Sequence, residues 1–129
     1  AYEIRPRDWS SDVCSSDLMA RGHFIFCGGL IGWNANQEFE SDDFVAQVEQ
    51  TLMNILAVLA EAGAGPEHLV RLTWYVTDKR EYLSRLKELG RVYRKVIGKH
   101  FPAMALVQVA ALVEDRAKGE IEATAVILE

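Results

Sequence analysis

The chain has 129 residues, of which 50% are hydrophobic and 26% charged, and its formal net charge is -5. This size and composition are typical of one globular domain with its own core. The longest apolar runs have the length of a strand, well short of the roughly 20 residues of a membrane-spanning helix, so no membrane partner is expected. Lys and Arg form no cluster beyond the polar face of one helix, which argues against a nucleic-acid partner.

The cysteines and histidines do not form a metal or redox motif. Cysteine occurs at Cys14 and Cys27, which do not form a C-x-x-C pair. His23, His68 and His100 lack the i, i+4 spacing and the neighbouring acids of a metal site. We therefore expect no metal, no cofactor and a reducing, cytoplasmic location.

The first eighteen residues differ in pattern from the rest of the chain. Asp8 to Leu18 (DWSSDVCSSDL) repeats Ser-Ser-Asp and has neither helical nor strand periodicity. This segment resembles the translation of a sequencing-adapter oligonucleotide, and a disordered N-terminal tail is the alternative. We predict that residues 1–18 are such a tail and that residues 19–129 form the domain.

The first strand and the first helix follow this segment. The run from His23 to Gly28 (HFIFCG) is rich in β-branched and aromatic residues and predicts a strand that ends in a glycine turn. Ser41 predicts a helix N-cap, with Asp42 and Asp43 in the first helical turn, and Gly63 ends this helix. Its apolar stripe, with spacings of three and four, consists of Val45, Val48, Leu52, Ile55 and Leu59.

A second strand and a second helix are predicted next. Residues His68 to Thr77 alternate between apolar and more polar side chains, which is typical of a strand. Asp78 predicts the N-cap of one helix that ends at Gly98. The apolar stripe of this helix consists of Tyr82, Leu86, Leu89, Tyr93 and Val96.

Two strands complete the order β, α, β, α, β, β. They are Pro102 to Leu112 and Glu120 to Leu128. The first of them is apolar on both faces, whereas two helices cover only one face of a sheet. We therefore expect the second face to be covered by another subunit.

At this point the chain resembles the RidA family (reactive intermediate deaminase, also called YjgF) from Gly22 to Val126. FIFCGGLIGW is similar to the family's V-S-G-Q-I-P region, QVEQTLMNILAVLAEAGAG to its first helix, VRLTWYVTD to its central strand, PAMALVQVAAL to its P-A-R strand and EIEATAV to its closing strand. The resemblance implies a chorismate-mutase-like α+β fold with two helices on one face of a mixed sheet. It also implies a homotrimer that forms through the open sheet face and binds a small molecule at each subunit boundary.

This sequence departs from the family at the residues that bind substrate. The family's deaminases hydrolyse 2-imino or enamine acids and hold the substrate carboxylate with the arginine of P-A-R, a position that is Met104 here. The family's serine and glutamine of the S-G-Q turn correspond to Gly28 and Leu30. The resemblance therefore implies a more apolar cleft, in which the standard substrate is disfavoured.

The candidate catalytic residue is Glu120, which corresponds to the family glutamate that positions or deprotonates the attacking water. The alternative for Glu120 and for the neighbouring Glu122 is a solvated or ion-paired surface carboxylate. Arg71 lies on the more polar side of its strand, where an ion pair with Glu120 is favoured over a relocated contact for a ligand anion. Tyr75 shares that side and offers a hydroxyl, although packing between subunits explains it as well.

The remaining candidates for ligand binding are apolar. We expect Trp33 to form a flat apolar wall of the cleft with Met104 and Leu106, with ordinary core packing of Trp33 as the alternative. The predicted function is binding of a small, partly apolar organic metabolite in inter-subunit clefts, without arginine-dependent deamination. The alternative is an imine or enamine hydrolase that uses Glu120, water and a relocated anion contact.

Overall fold

The computed structural model describes residues 22–129, so the predictions for residues 1–18 lie outside the described part of the chain. Its helices and strands, in chain order, are β1 (Gly22–Ile31), α1 (Phe44–Glu61), β2 (Leu69–Val76), α2 (Lys79–Ser84), α3 (Leu86–Val96), β3 (Ala103–Gln108) and β4 (Gly119–Leu128). A short 3-10 turn, Pro66–His68, precedes β2.

The four strands form one mixed sheet in the order β1-β4-β2-β3. Strand β4 is antiparallel to both β1 and β2, whereas β2 and β3 are parallel. Parallel neighbours require a crossover connection, which α2 and α3 provide. The predicted α+β fold, with its mixed sheet backed by helices, is confirmed.

The core lies between the sheet and the helices. On β2, Leu72, Trp74 and Val76 are buried, as strand alternation predicts. The apolar stripe predicted for the first helix is buried at all five positions, namely Val45, Val48, Leu52, Ile55 and Leu59. The period of the apolar residues therefore identified the face of α1 that packs on the sheet.

The start of α1 differs from the prediction. The N-cap is Asp43, whose carboxylate accepts a hydrogen bond from the backbone N–H of Ala46 at 3.0 Å. Ser41 instead accepts a hydrogen bond from the backbone N–H of Asp43 at 2.9 Å. Asp42 and Asp43 thus precede the helix and do not lie in its first turn.

The second predicted helix is two helices, α2 and α3. Arg85 lies between them with φ -121° and ψ 22°, outside the helical region. Its guanidinium lies 2.9 Å from an oxygen of Asp43 and 2.7 Å from one of Glu88, and these contacts hold the junction. Leu86, which was predicted to be in the apolar stripe, is 49% exposed, because the stripe breaks at this junction.

Strand β3 is also shorter than predicted. It ends at Gln108, whose side-chain oxygen accepts a hydrogen bond from the backbone N–H of Lys79 at 2.8 Å. Val109 donates one last backbone hydrogen bond to the carbonyl of Val76 at 2.8 Å. The chain then leaves the sheet, although its sequence remains apolar as far as residue 113.

The sheet face away from the helices, which we call the open face, retains large apolar side chains at its surface. Phe26 is 75% exposed, Phe24 50% and Val107 45%. The Phe24 and Phe26 rings lie 6.2 Å apart. Polar side chains of β2 and β4 lie on the same face, at Arg71, Thr73, Tyr75, Glu120, Glu122 and Thr124.

Candidate functional site

Glu120 lies near the start of β4, opposite Tyr75 of β2 and Ile31 of β1. Its carboxylate occupies the space beside Gly29, where an added Cβ would be 2.6 Å from Oε2. A glycine at position 29 therefore leaves room for this carboxylate. The side chain remains partly exposed, so water and a small molecule have access to it.

A hydrogen bond joins the other carboxylate of β4 to β2. The Tyr75 hydroxyl donates to Oε1 of Glu122 at 2.7 Å. This bond, followed by loss of hydration and by the negative charges of Glu122 and Glu120, raises the pKa of Tyr75. The sequence showed both residues on one face, but their contact depends on strand register, which pairs Glu122 with Thr73 and makes Tyr75 its diagonal neighbour.

Arg71 lies opposite Thr124 on the open face and is exposed. Among residues 22–129 it has no carboxylate within 4 Å, so the predicted ion pair with Glu120 is wrong. The register explains this result. Thr124 and Glu120 are four residues apart on β4, which is about 13 Å along the strand.

The open face contains a depression of about 190 Å³. Its lining consists of Phe26, Cys27, Gly28, Arg71, Thr73, Glu122, Ala123 and Thr124. We call it the open-face depression. It brings together two of the predicted ligand-binding residues, Arg71 and Gly28, and adds Glu122, which the sequence analysis treated as an ordinary surface carboxylate.

Met104 and Leu106 lie on the opposite face of the sheet. The register pairs them with the buried residues Leu72 and Trp74, so their side chains are on the helix side of β3. Leu106 packs against the core, whereas Met104 is 43% exposed because β3 is an edge strand. Within one chain, these two residues are therefore separated from Glu120 by the sheet itself.

Leu30 and Trp33 belong to the other edge of the sheet. Leu30 pairs with Ile121 and packs against the core. The Trp33 ring lies 6.0 Å from that of Phe39, and its backbone carbonyl accepts a hydrogen bond from Asn54 at 2.9 Å. In a single chain, both residues make ordinary packing contacts.

Titratable groups elsewhere have structural partners. His100 donates from Nε2 to the carbonyl of Leu69 at 2.7 Å, which ties the segment after α3 to the start of β2. Burial raises the pKa of the Cys27 thiol and disfavours the reactive thiolate.

In the described part of the chain, no three His, Cys, Asp or Glu side chains are grouped as metal ligands. Nor does any helix there have both the length and the apolarity to cross a membrane.

This fold belongs to the class of α+β proteins that have a mixed sheet with two main helices on one face. Comparison with known proteins identifies the family. A family model described as Endoribonuclease L-PSP matches residues 12–127. The chain therefore belongs to this family, which is the RidA/YjgF family that the sequence resembles.

Individual relatives agree with this assignment. Protein DfrA of Myxococcus xanthus is 39% identical over 110 residues, which cover 81% of this chain and 77% of that protein. The 2-iminobutanoate/2-iminopropanoate deaminase of Escherichia coli (strain K12) is 32% identical over 108 residues, covering 81% and 80%. The crystal structure of E. coli TdcF with bound serine superposes with a TM-score of 0.70 at 29% identity and covers 84% of each chain.

Proposed function

We propose that this protein binds a small, partly apolar organic metabolite in clefts between the subunits of a homotrimer, without arginine-dependent deamination of 2-imino acids. The observation that carries the proposal is the division of the candidate residues between two edges of the sheet. Gly28 and Leu30 lie in β1, whereas Met104 and Leu106 lie in β3. Three strand spacings, about 14 Å, separate these edges. A neighbouring copy that places its β3 edge beside β1 brings both sets into one cleft.

The exposed apolar side chains supply the reason for subunits to associate. The open face has two exposed apolar areas, one at each edge: Phe24 and Phe26 of β1 lie at one edge, and Val107 lies with the exposed Ala103 and Ala105 of β3 at the other. Burying apolar surface is worth about 25 cal/mol per Å². Such an area on a small protein is typical of a subunit interface.

The identity of residue 104 sets the chemistry of the cleft. Met104 offers a polarisable thioether and no hydrogen-bond donor. A carboxylate bound there would lack charge-assisted hydrogen bonds worth roughly 1.5 to 3 kcal/mol each. Because Met104 is 43% exposed, its side chain is available for contact with a ligand. The ligand group that contacts it is therefore neutral and apolar.

Two isosteric probes, benzamide and benzoate, test this proposal. We expect the full chain to bind neutral benzamide more tightly than benzoate in titration calorimetry. Met104→Arg should reverse this preference, because it restores a donor for the carboxylate. Met53→Arg is the matched control, since Met53 is 48% exposed on α1 and should leave the preference unchanged. Tighter binding of benzoate than of benzamide by the unmodified chain would contradict the proposal.

Hydrolysis of an imine or enamine is the second candidate. It is supported by the name of the E. coli deaminase and by Arg71, an exposed guanidinium without a carboxylate partner among residues 22–129. In this alternative Glu120 activates water and Arg71 contacts the substrate anion. Ammonia release from freshly generated 2-iminopropanoate separates the two candidates. We expect no release above the uncatalysed rate, whereas rapid release that Glu120→Ala abolishes would establish the hydrolase.

A further inference from the structure

Positive charge is concentrated in the two helices that connect β2 to β3. Residues 79–99 include eight lysines and arginines and two glutamates, a net charge of +6, whereas the whole chain carries -5. These helices contribute Leu89 and Tyr93 to the core, so they lie on the side of the sheet opposite the open face. Subunits that join through the open face therefore leave them in contact with solvent.

Three of these cations form a row on the outer side of α3. Lys87, Arg91 and Arg94 are all exposed, and their spacings of four and three residues place them on one face of the helix. The row is about 10 Å long. We call these three residues the basic face.

The carboxylates nearest to the basic face already have other partners. Glu88 of α3 lies 2.7 Å from the guanidinium of Arg85. Glu49 of α1 lies 3.1 Å from the ammonium group of Lys95. Among residues 22–129, no carboxylate lies within 4 Å of the basic face. Its positive charge is therefore available to an acidic partner.

Two exposed leucines immediately precede the basic face. Leu83 is 57% exposed and Leu86 is 49% exposed, on either side of the non-helical residue Arg85. The guanidinium of Arg85 lies 2.9 Å from Asp43 and 2.7 Å from Glu88, which fixes this junction and with it the two leucines. The same surface thus offers apolar contacts beside a row of cations.

We propose that the basic face and the two leucines bind an acidic segment of another protein, one that carries apolar side chains beside its carboxylates. A lipid bilayer fits poorly, because the apolar side of α3 packs on the core and cannot enter the lipid. RNA also fits poorly, since Tyr82 and Tyr93, the aromatic residues of the two helices, pack on the core and are unavailable for base stacking. The rest of the chain is strongly negative and repels a long polyanion, whereas a short acidic segment contacts only the basic face.

A labelled synthetic helical peptide tests this inference on the full chain. It carries three glutamates at the spacing of the basic face and two leucines one turn away. One control peptide has glutamine in place of each glutamate, and the other has serine in place of each leucine. We expect the peptide with both groups to bind at least about tenfold more tightly than either control in fluorescence anisotropy.

The combined variant Lys87→Gln, Arg91→Gln and Arg94→Gln tests the basic face. It should lower the affinity for the peptide by about tenfold or more and remove most of the salt dependence of binding. Lys79→Gln combined with Lys99→Gln is the matched control, because it removes two exposed lysines of the same region outside the basic face. This control should change the affinity by less than about threefold.

Leu83→Ser combined with Leu86→Ser should also lower the affinity by about tenfold, with an unchanged circular dichroism spectrum. Three results would overturn the inference. The first is equal affinity for the glutamate and glutamine peptides, and the second is unchanged affinity in the combined variant of the basic face. The third is tighter binding of an RNA oligonucleotide or of phosphatidylserine vesicles than of the peptide, lost in that variant, which would assign the basic face to that partner instead.

Discussion

At the scale of single residues, the contact between Tyr75 and Glu122 connects the two central strands on the open face. The phenol donates to a carboxylate of β4, and Glu120 lies two residues away on the same side of that strand. A neutral phenol is compatible with these negative charges, whereas a phenolate would be repelled by them. The contact therefore favours a protonated Tyr75 and fixes the direction of Glu122 in the open-face depression.

Glu122→Gln should lower the pKa of Tyr75 toward the ordinary tyrosine value, because it removes the carboxylate whose hydrogen bond is the main cause of the rise. In the fold the raised pKa favours the protonated phenol. Its contribution to stability is thus present below the unfolded-state pKa and is lost as the pH rises through the folded-state value. Ultraviolet titration of the tyrosines, with Tyr75→Phe to assign the signal, measures the change. An identical Tyr75 titration in both proteins would contradict the prediction.

The candidate site residues could be identified from the sequence, but the side chains that they contact could not. The assignment of Met104 to the family's arginine position is a prediction from the resemblance of its strand to the P-A-R strand. The Tyr75–Glu122 hydrogen bond and the separation of Arg71 from Glu120 depend on the register between β2 and β4, which shifts between Leu69 and Arg71. A bulge of this kind changes which side chains are neighbours without leaving a specific signal in the sequence.

At the scale of elements, the connection from β1 to α1 depends on close approach of two backbones. A Cβ added at Gly32 would lie 2.4 Å from the carbonyl oxygen of Gln47 and 2.8 Å from its Cα. Gln47 is itself buried and donates from its side chain to the carbonyls of Ser41 and Arg116 at 3.0 Å each. Position 32 therefore tolerates no side chain unless α1 moves.

Gly32→Ala should lower the free energy of unfolding by about 1 to 3 kcal/mol, the usual cost of overpacking against atoms that cannot yield. Gly28→Ala is the matched control, because nothing lies within 4 Å of a Cβ at that position. Its effect should stay within about 0.5 kcal/mol. Urea denaturation of both variants measures the difference, and equal midpoints would show that the approach to Gln47 is not restrictive.

Asp43 connects α1 to the junction of α2 and α3, since it caps the first helix and pairs with Arg85. The hydrogen bond from Arg85, followed by that from the backbone N–H of Ala46, lowers the pKa of Asp43. The stabilisation is therefore present above the unfolded-state pKa, about 3.9, and is lost as the pH falls through the lower folded-state value.

Asp43→Ala should lower the free energy of unfolding by about 1 to 2 kcal/mol at pH 7, mostly through loss of the cap. The difference from the unmodified chain should shrink below about pH 4, as Asp43 becomes protonated. Asp42→Ala is the control, because among residues 22–129 the side chain of Asp42 forms only an exposed ion pair, with Arg116. Denaturation at pH 7 and pH 3 tests both statements, and equal losses in the two variants would show that capping contributes nothing specific.

The elements themselves were largely predictable, because apolar periodicity identifies a strand or a helix by its buried face. Their ends were less predictable. Ser41 and Asp43 are both good caps, and only the hydrogen bond to Ala46 decides between them. The break at Arg85 depends on Asp43, which is 42 residues away in the chain. Helical periodicity, a local property, continues through that break.

At the scale of the whole molecule, sheet order decides which residues can share a site. The sequence placed Trp33 beside Met104 in one cleft, yet β1 and β3 are opposite edges of the sheet. Strand order is a property of the complete fold and has no local sequence signal. The apolar open face was, however, foreseen from the two-sided strand β3, since a side chain that the helices cannot reach must find another cover. In the proposed trimer, a neighbouring subunit covers the open face and also places its β3 edge beside β1.

Phe26→Glu tests that assembly. Phe26 is 75% exposed on the open face, so a charged side chain there costs the isolated chain little, whereas an interface would have to bury an unpaired carboxylate. We expect the unmodified protein to have the mass of three chains in light scattering and Phe26→Glu to have the mass of one, with the same circular dichroism. Met53→Glu, on the outer surface of α1 and 48% exposed, should remain trimeric. If Phe26→Glu retains the mass of the unmodified protein, the open face is not the surface that joins the subunits.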